Sequence, residues 1–180
     1  MKMPALAALT LLGALALTGC AAGTTSPAVG PAPTSTGSAS AAPGGSCAGV
    51  NVVVDFGPLD EATITDCAAT GDAATVPASQ LVAAAGATTE GTAQYGDQVV
   101  CRVNGRPAAD ETITVDGAAP FTESCQGMPA AAAYWALWIK PSADADWEYA
   151  QEGLGSLQLK PGQSVGLVFT TGTETPTPGS

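Results

Sequence analysis

The sequence predicts an α+β domain in which one short helix packs on a mixed sheet, with an extra aromatic-rich hairpin and two disulfides. Three observations carry this. Apolar residues recur at period two in several short runs. Only one stretch has helical spacing, and it follows two of those runs, giving the order ββαβ and then further strands. Four cysteines fall within the same part of the chain.

The first run, "VNVVVDF" (50–56), sets Val50, Val52, Val54 and Phe56 on one face and stops at the turn cluster "GPLDE". "ATITDC" (62–67) alternates Ala62 and Ile64 against Thr63 and Thr65, so the two runs predict a hairpin. "VPASQLVAAAG" (76–86) places Pro77 in a first turn, puts Leu81, Val82 and Ala85 on one side, and has Gly86 as its stop. A helix that short is marginal alone and must lie on a sheet. "TTEGTAQY" (88–95) and "QVVCRVNGRPA" (98–108) follow. In the second, Val99, Cys101 and Val103 share a face, Arg102 points the other way, and Asn104-Gly105 marks a turn. A loop rich in small and acidic residues leads to Cys125, with "ETITVDG" strand-like inside it. Tyr134 to Ile139 forms a further strand, and Trp147 to Tyr149 pairs back on it across "KPSADAD". Leu157 and Leu159 precede the Pro161-Gly162 turn, and Val165, Leu167 and Phe169 alternate after it.

The ends are of a different kind. Met1 to Gly19 carries one basic residue, Lys2, and an apolar run from about Ala5 to Leu17, too short to span a bilayer as a helix. It ends in "LTGC", which matches the lipobox of bacterial lipoproteins. The expectation is a signal peptide over 1–19, Cys20 as a lipidated N-terminus, and a chain anchored to the extracytoplasmic face of the cell membrane. Residues 20–46 are almost wholly Ala, Gly, Ser, Thr and Pro after the cysteine. That composition cannot offset its ordering entropy and reads as a disordered tether spanning roughly 25–30 Å. The tail 171–180 reads likewise, leaving 47–170 as one folded domain.

The whole chain carries a formal charge of −11, with no histidine; loss of Lys2 with the signal makes it −12. Nucleic acid and anionic membrane surfaces are poor partners for that balance. The missing imidazole excludes nucleophile–base pairs built on it. The carboxylate pairs Asp60-Glu61 and Asp110-Glu111, and the set Asp144, Asp146 and Glu148, sit beside turn residues, where solvated carboxylates are ordinary. The last three alternate as the start of a calcium loop does, but the Gly and distal Glu of that loop are missing. No enzyme, metal site or resident cofactor is expected, and a monomer is.

Cys47, Cys67, Cys101 and Cys125 form an even set in an exported domain and predict two disulfides. Three pairings are open. A hairpin bringing Cys47 to Cys67 and a loop bringing Cys101 to Cys125 favour the two local bridges.

Five of the nine aromatic residues lie between positions 134 and 149. Alternation sends Trp135 with Leu137 and Ile139 to one face, the core, and Tyr134 with Trp138 to the other, where Trp147 and Tyr149 can join them as cross-strand neighbours. Two readings stand: a second small core under the 104–125 loop, or a stacking platform for a flat or amphipathic ligand. The candidate ligand-binding residues are Tyr134, Trp138, Trp147, Tyr149 and Arg102, edged by Lys140.

Taken in order, "VNVVVDF", "TITDC", "SQLVAAAG", "GTAQYGDQVVCRVNGRPA", "AYWALWIKP" and "DWEYAQEGLGSLQLKPGQSVGLVF" resemble the transcobalamin C-terminal-like domain, a β-grasp module. The likeness is nearest to single-domain versions in actinobacterial surface lipoproteins and covers about Val50 to Phe169. It implies a β-grasp-like fold and a ligand such as cobalamin or a similar corrinoid, captured for uptake and presented to a membrane transporter. Without histidine, contact with a corrinoid would rest on aromatic and polar groups. The alternative is a cell-envelope protein–protein interaction module without a small-molecule ligand.

Overall fold

The computed structural model describes residues 47–172, 174 and 175. The expected signal peptide, Cys20 and the tether lie outside the described residues, as does most of the expected tail.

Among the described residues nine strands, one α-helix and a 3-10 turn at Gly57–Leu59 follow the α+β order. β1 (Val50–Asp55) and β2 (Ile64–Ala68) form the expected antiparallel hairpin. β1 also pairs in parallel with the last strand, β9 (Ser164–Thr170), and β9 pairs antiparallel with β6 (Tyr134–Lys140). With β7 (Glu148–Tyr149) at the edge, the five-stranded mixed sheet runs β2-β1-β9-β6-β7. A parallel neighbour distant in sequence makes β1 and β9 central strands. Their near-continuous apolar sequences fit that position, since β9 is buried at every residue and Val53 is buried as well as Val52 and Val54.

Two smaller ladders flank this sheet. β3 (Val76–Pro77) pairs with β8 (Gln158–Leu159), and β4 (Thr89–Thr92) pairs with β5 (Gly96–Val103) through an irregular register around Gly91. The helix α1 spans Ala78–Ala84, two residues later at its start than the pattern suggests. Val76 and Pro77 are extended and spent on β8, so Pro77 stands just before the helix and not in its first turn. At the other end Gly86, at φ +87, donates its N–H to the Ala83 carbonyl, and Ala87 donates to Val82. These two bonds close the helix in a Schellman turn, for which the left-handed backbone of Gly86 is needed. Ala78, Leu81 and Val82 are the buried face.

Trp135 lies at the heart of the core, as alternation requires. Its ring meets Phe56 edge-on at 5.3 Å and Phe169 at 5.6 Å, and its Nε1–H donates to the Arg106 carbonyl at 3.0 Å. Leu137 and Ile139 pack on the same cluster. Both local disulfides are present, Cys47–Cys67 and Cys101–Cys125. The Asn104-Gly105 turn is also present: both residues have positive φ, and Val103 and Arg106 exchange backbone hydrogen bonds across it. The strand-like "ETITVDG" segment shortens to a single bridge, Ile113 with Phe121, that closes its own loop.

Candidate functional site

The strand alternation of β6 and the short β7 bring three of the five candidate residues together. Trp138 stands opposite Tyr149 in the register, with ring centroids 4.3 Å apart. The Tyr134 and Tyr149 hydroxyls meet at 2.7 Å. Trp147 continues the pattern beyond β7, where Lys140 Nζ lies 5.3 Å from the centre of its ring, a cation–π contact. Trp138 is half-buried, and its Nε1 has no hydrogen-bond partner among the described residues.

Beside the two tyrosines a groove of about 460 Å³ opens between β5 and β6. One wall is apolar, from Val99, Val100, Leu137 and Leu154; the rim carries Gln98, Gln151 and Glu152. Its open end continues onto Met128, Pro129 and Ala131 against Tyr134 and Tyr149, and Met128 is 68% exposed. The volume is within the range of small-molecule sites. Gly153 shapes the far wall, because a Cβ there would stand 2.3 Å from the Gln98 carbonyl oxygen. Trp138 and Trp147 do not line the groove; they support Tyr149 and Lys140 from the side.

Arg102 is placed differently from the sequence expectation of a solvent- or ligand-facing side chain. It is 8% exposed. Its Nε–H donates to the Pro107 carbonyl at 2.8 Å, Nη1 to Glu90 at 2.9 Å and Nη2 to the Glu123 carbonyl at 2.7 Å. The β4–β5 register slips by one residue between Arg102 and Val100, and the 104–125 loop covers the guanidinium, which holds that loop down together with the Cys101–Cys125 bridge. Arg102→Ala is expected to destabilise the domain by about 2–3 kcal/mol, with Arg102→Lys recovering little, since an ammonium cannot serve three partners in one plane. Chemical denaturation of the three proteins checks this.

Two of the carboxylates considered for acid–base work, Glu61 and Glu111, are ion-paired to one arginine. Arg106 makes a two-pronged pair with Glu111, at 3.0 and 2.7 Å, reaches Glu61 at 3.2 Å and caps the Leu59 carbonyl. The Arg106 hydrogen bond holds the Glu111 carboxyl below its ordinary range, although partial burial opposes this. That contribution to stability is present above the usual carboxylate value and is lost as pH falls through the lowered one. Among the described residues the only convergent metal-type ligands are Cys101, Glu123 and Cys125, within 4.8 Å of one another. Their two sulfurs are bonded to each other, so the cluster is a crosslink.

Partial desolvation of a side chain that stays 43% exposed, and then the hydrogen bond to Tyr134, raise the Tyr149 phenol above its ordinary value of about 10. The folded state therefore keeps this proton more tightly than the unfolded chain. The stabilisation is whole below about pH 10 and is lost as pH rises toward the folded value. Thermal unfolding of wild type is expected to fall off more steeply above pH 10 than that of Tyr149→Phe; parallel slopes would contradict this assignment.

The groove residues Val99, Met128, Pro129, Gln151 and Leu154 are not among the candidate ligand-binding residues that the sequence suggests. The available signal was an apolar Met128 between Gly127 and Pro129, just beyond a disulfide cysteine. No family model, no curated protein and no solved structure matches the chain.

Proposed function

We propose that the chain is a membrane-anchored, extracytoplasmic binding protein that holds a compact amphipathic ligand in the groove beside Tyr134 and Tyr149 and hands it to a membrane transporter. The observation that carries this reading is the juxtaposition of an apolar wall with a hydroxyl pair at the mouth of a groove of about 460 Å³. The expected lipid on Cys20 and the long tether supply the anchoring. Binding is favoured over catalysis because Glu61 and Glu111 are spent on Arg106 and no imidazole exists in the chain.

The resemblance to the transcobalamin C-terminal-like domain makes a corrinoid the first ligand to try. Titration calorimetry of cyanocobalamin into the chain beginning at Cys20 is expected to give saturable heat that Tyr134→Ala weakens at least tenfold. Absence of heat at millimolar ligand removes the corrinoid. Binding that Tyr134→Ala leaves untouched removes the groove as its site.

A further inference from the structure

The two edges of β6 are not equally used. Along one, all seven residues register against β9. Along the other, β7 supplies only Glu148 and Tyr149, and a last bond runs from the Ala150 N–H to the Leu137 carbonyl at 3.0 Å. Backbone groups of alternate residues point to the same edge of a strand. Trp135, two positions before Leu137, therefore directs its own N–H and C=O toward this edge. Among the described residues the β6–β7 ladder stops short of Trp135, and no loop backbone group bonds to its N–H or C=O. The side chain of Trp135 is in the core, but its backbone borders the groove.

The gap is held open by the chain that could have filled it. Continuing the β6–β7 register would set Glu152 opposite Trp135. Instead the chain turns away. Gly153 packs on Gln98, the Gly155 N–H donates to the Asp97 carbonyl at 3.0 Å, and the Ser156 hydroxyl bonds the Gln98 side chain. An unpaired strand edge is a template for another strand, and proteins ordinarily cover or charge such an edge. Here it faces a groove with different walls on its two sides: Val99 and Leu154 on one, and Tyr134, Tyr149 and Met128 on the other. Those walls suit the alternating side chains of an extended segment. The lining carries Glu152 and neither lysine nor arginine, in a strongly acidic chain, so an acidic segment is disfavoured.

We propose that the ligand of this groove is peptidic: an uncharged or basic extended segment that joins β6 as an added strand, pairing with the N–H and C=O of Trp135. The proposal rests on the groove reading above and names its ligand class. Backbone hydrogen bonds supply the docking, and an apolar side chain against Val99 and Leu154 supplies the selectivity.

The test uses the ¹⁵N-labelled chain beginning at Cys20 and acetylated, amidated heptapeptides that alternate lysine with alanine, valine, leucine or phenylalanine. At saturating peptide, hydrogen exchange at the Trp135 amide is expected to slow at least tenfold, while the Ala136 amide, already turned to β9, is unchanged. N-methylation of one alternate set of peptide amides should abolish the effect and methylation of the other set should spare it. No slowing at Trp135 with any peptide at millimolar concentration overturns strand addition, and so does equal tolerance of both methylated sets. If cyanocobalamin binds in a Tyr134-dependent way while the peptides do not, the groove stands and the peptide proposal falls. If neither binds, both fall.

Discussion

Trp135→Ala is expected to cost about 3–5 kcal/mol, the range for deleting a large aromatic from a packed core. Trp135 is 6% exposed, and three things go with its indole: the edge contacts to Phe56 and Phe169, the core volume it fills, and the Nε1 bond that ties the Arg106 carbonyl to the core. The last loss leaves the Arg106 carbonyl with only its turn bond from the Val103 N–H, and it removes the tie between the core and the start of the 104–125 loop. A domain of this size has about 5–15 kcal/mol in all, so the melting temperature should fall by roughly 10–25 °C. Tyr134→Ala, one position away on the other face of the strand and half-buried, should cost under about 1.5 kcal/mol. Differential scanning calorimetry of the two variants measures the face assignment directly, and equal losses would contradict it.

Removing the Cys101–Cys125 crosslink is the second large effect. The bridge closes a loop with a sequence separation of 24, for which the chain-entropy account gives about 3 kcal/mol. Both residues are buried, and the chain around Cys125 is docked on the β4–β5 pair, where Ala93 and Gln94 donate to the carbonyls of Cys125 and Gln126. The double variant Cys101→Ala with Cys125→Ala should unfold at correspondingly lower denaturant. It should also loosen Met128 and Pro129, three and four residues farther on, which form the open end of the groove. Ligand affinity and stability should therefore fall together in this variant, whereas Cys47→Ala with Cys67→Ala should lower stability alone, because that bridge sits at the β2 edge away from the groove.

What could be read from sequence follows the range of the interactions concerned. Strand alternation is local, so Val50, Val52 and Val54, the two faces of β6, and the β6–β7 return were legible. The disulfides followed because each joins segments that a hairpin or a single loop brings together. The helix starts two residues later than the pattern suggests because β8, far along the chain, takes Val76 and Pro77. Arg102 is buried where a ligand-facing side chain is expected, because alternation says nothing of a loop without periodicity lying over it. The groove was not legible at all. Its walls come from residues 98–100, 128–129, 134–137 and 149–154, and no local pattern links them.

The most direct test of the account is the resonance of one methyl group. The sequence has three methionines, two of them in the expected signal peptide, so the chain beginning at Cys20 has Met128 alone, at the open end of the groove. With ¹³C-methyl methionine, that single signal should shift saturably as cyanocobalamin or one of the heptapeptides is added, with the affinity measured by calorimetry, and the shift should vanish in Tyr134→Ala. Calorimetric binding with an unmoved Met128 signal would place the site elsewhere and contradict the account.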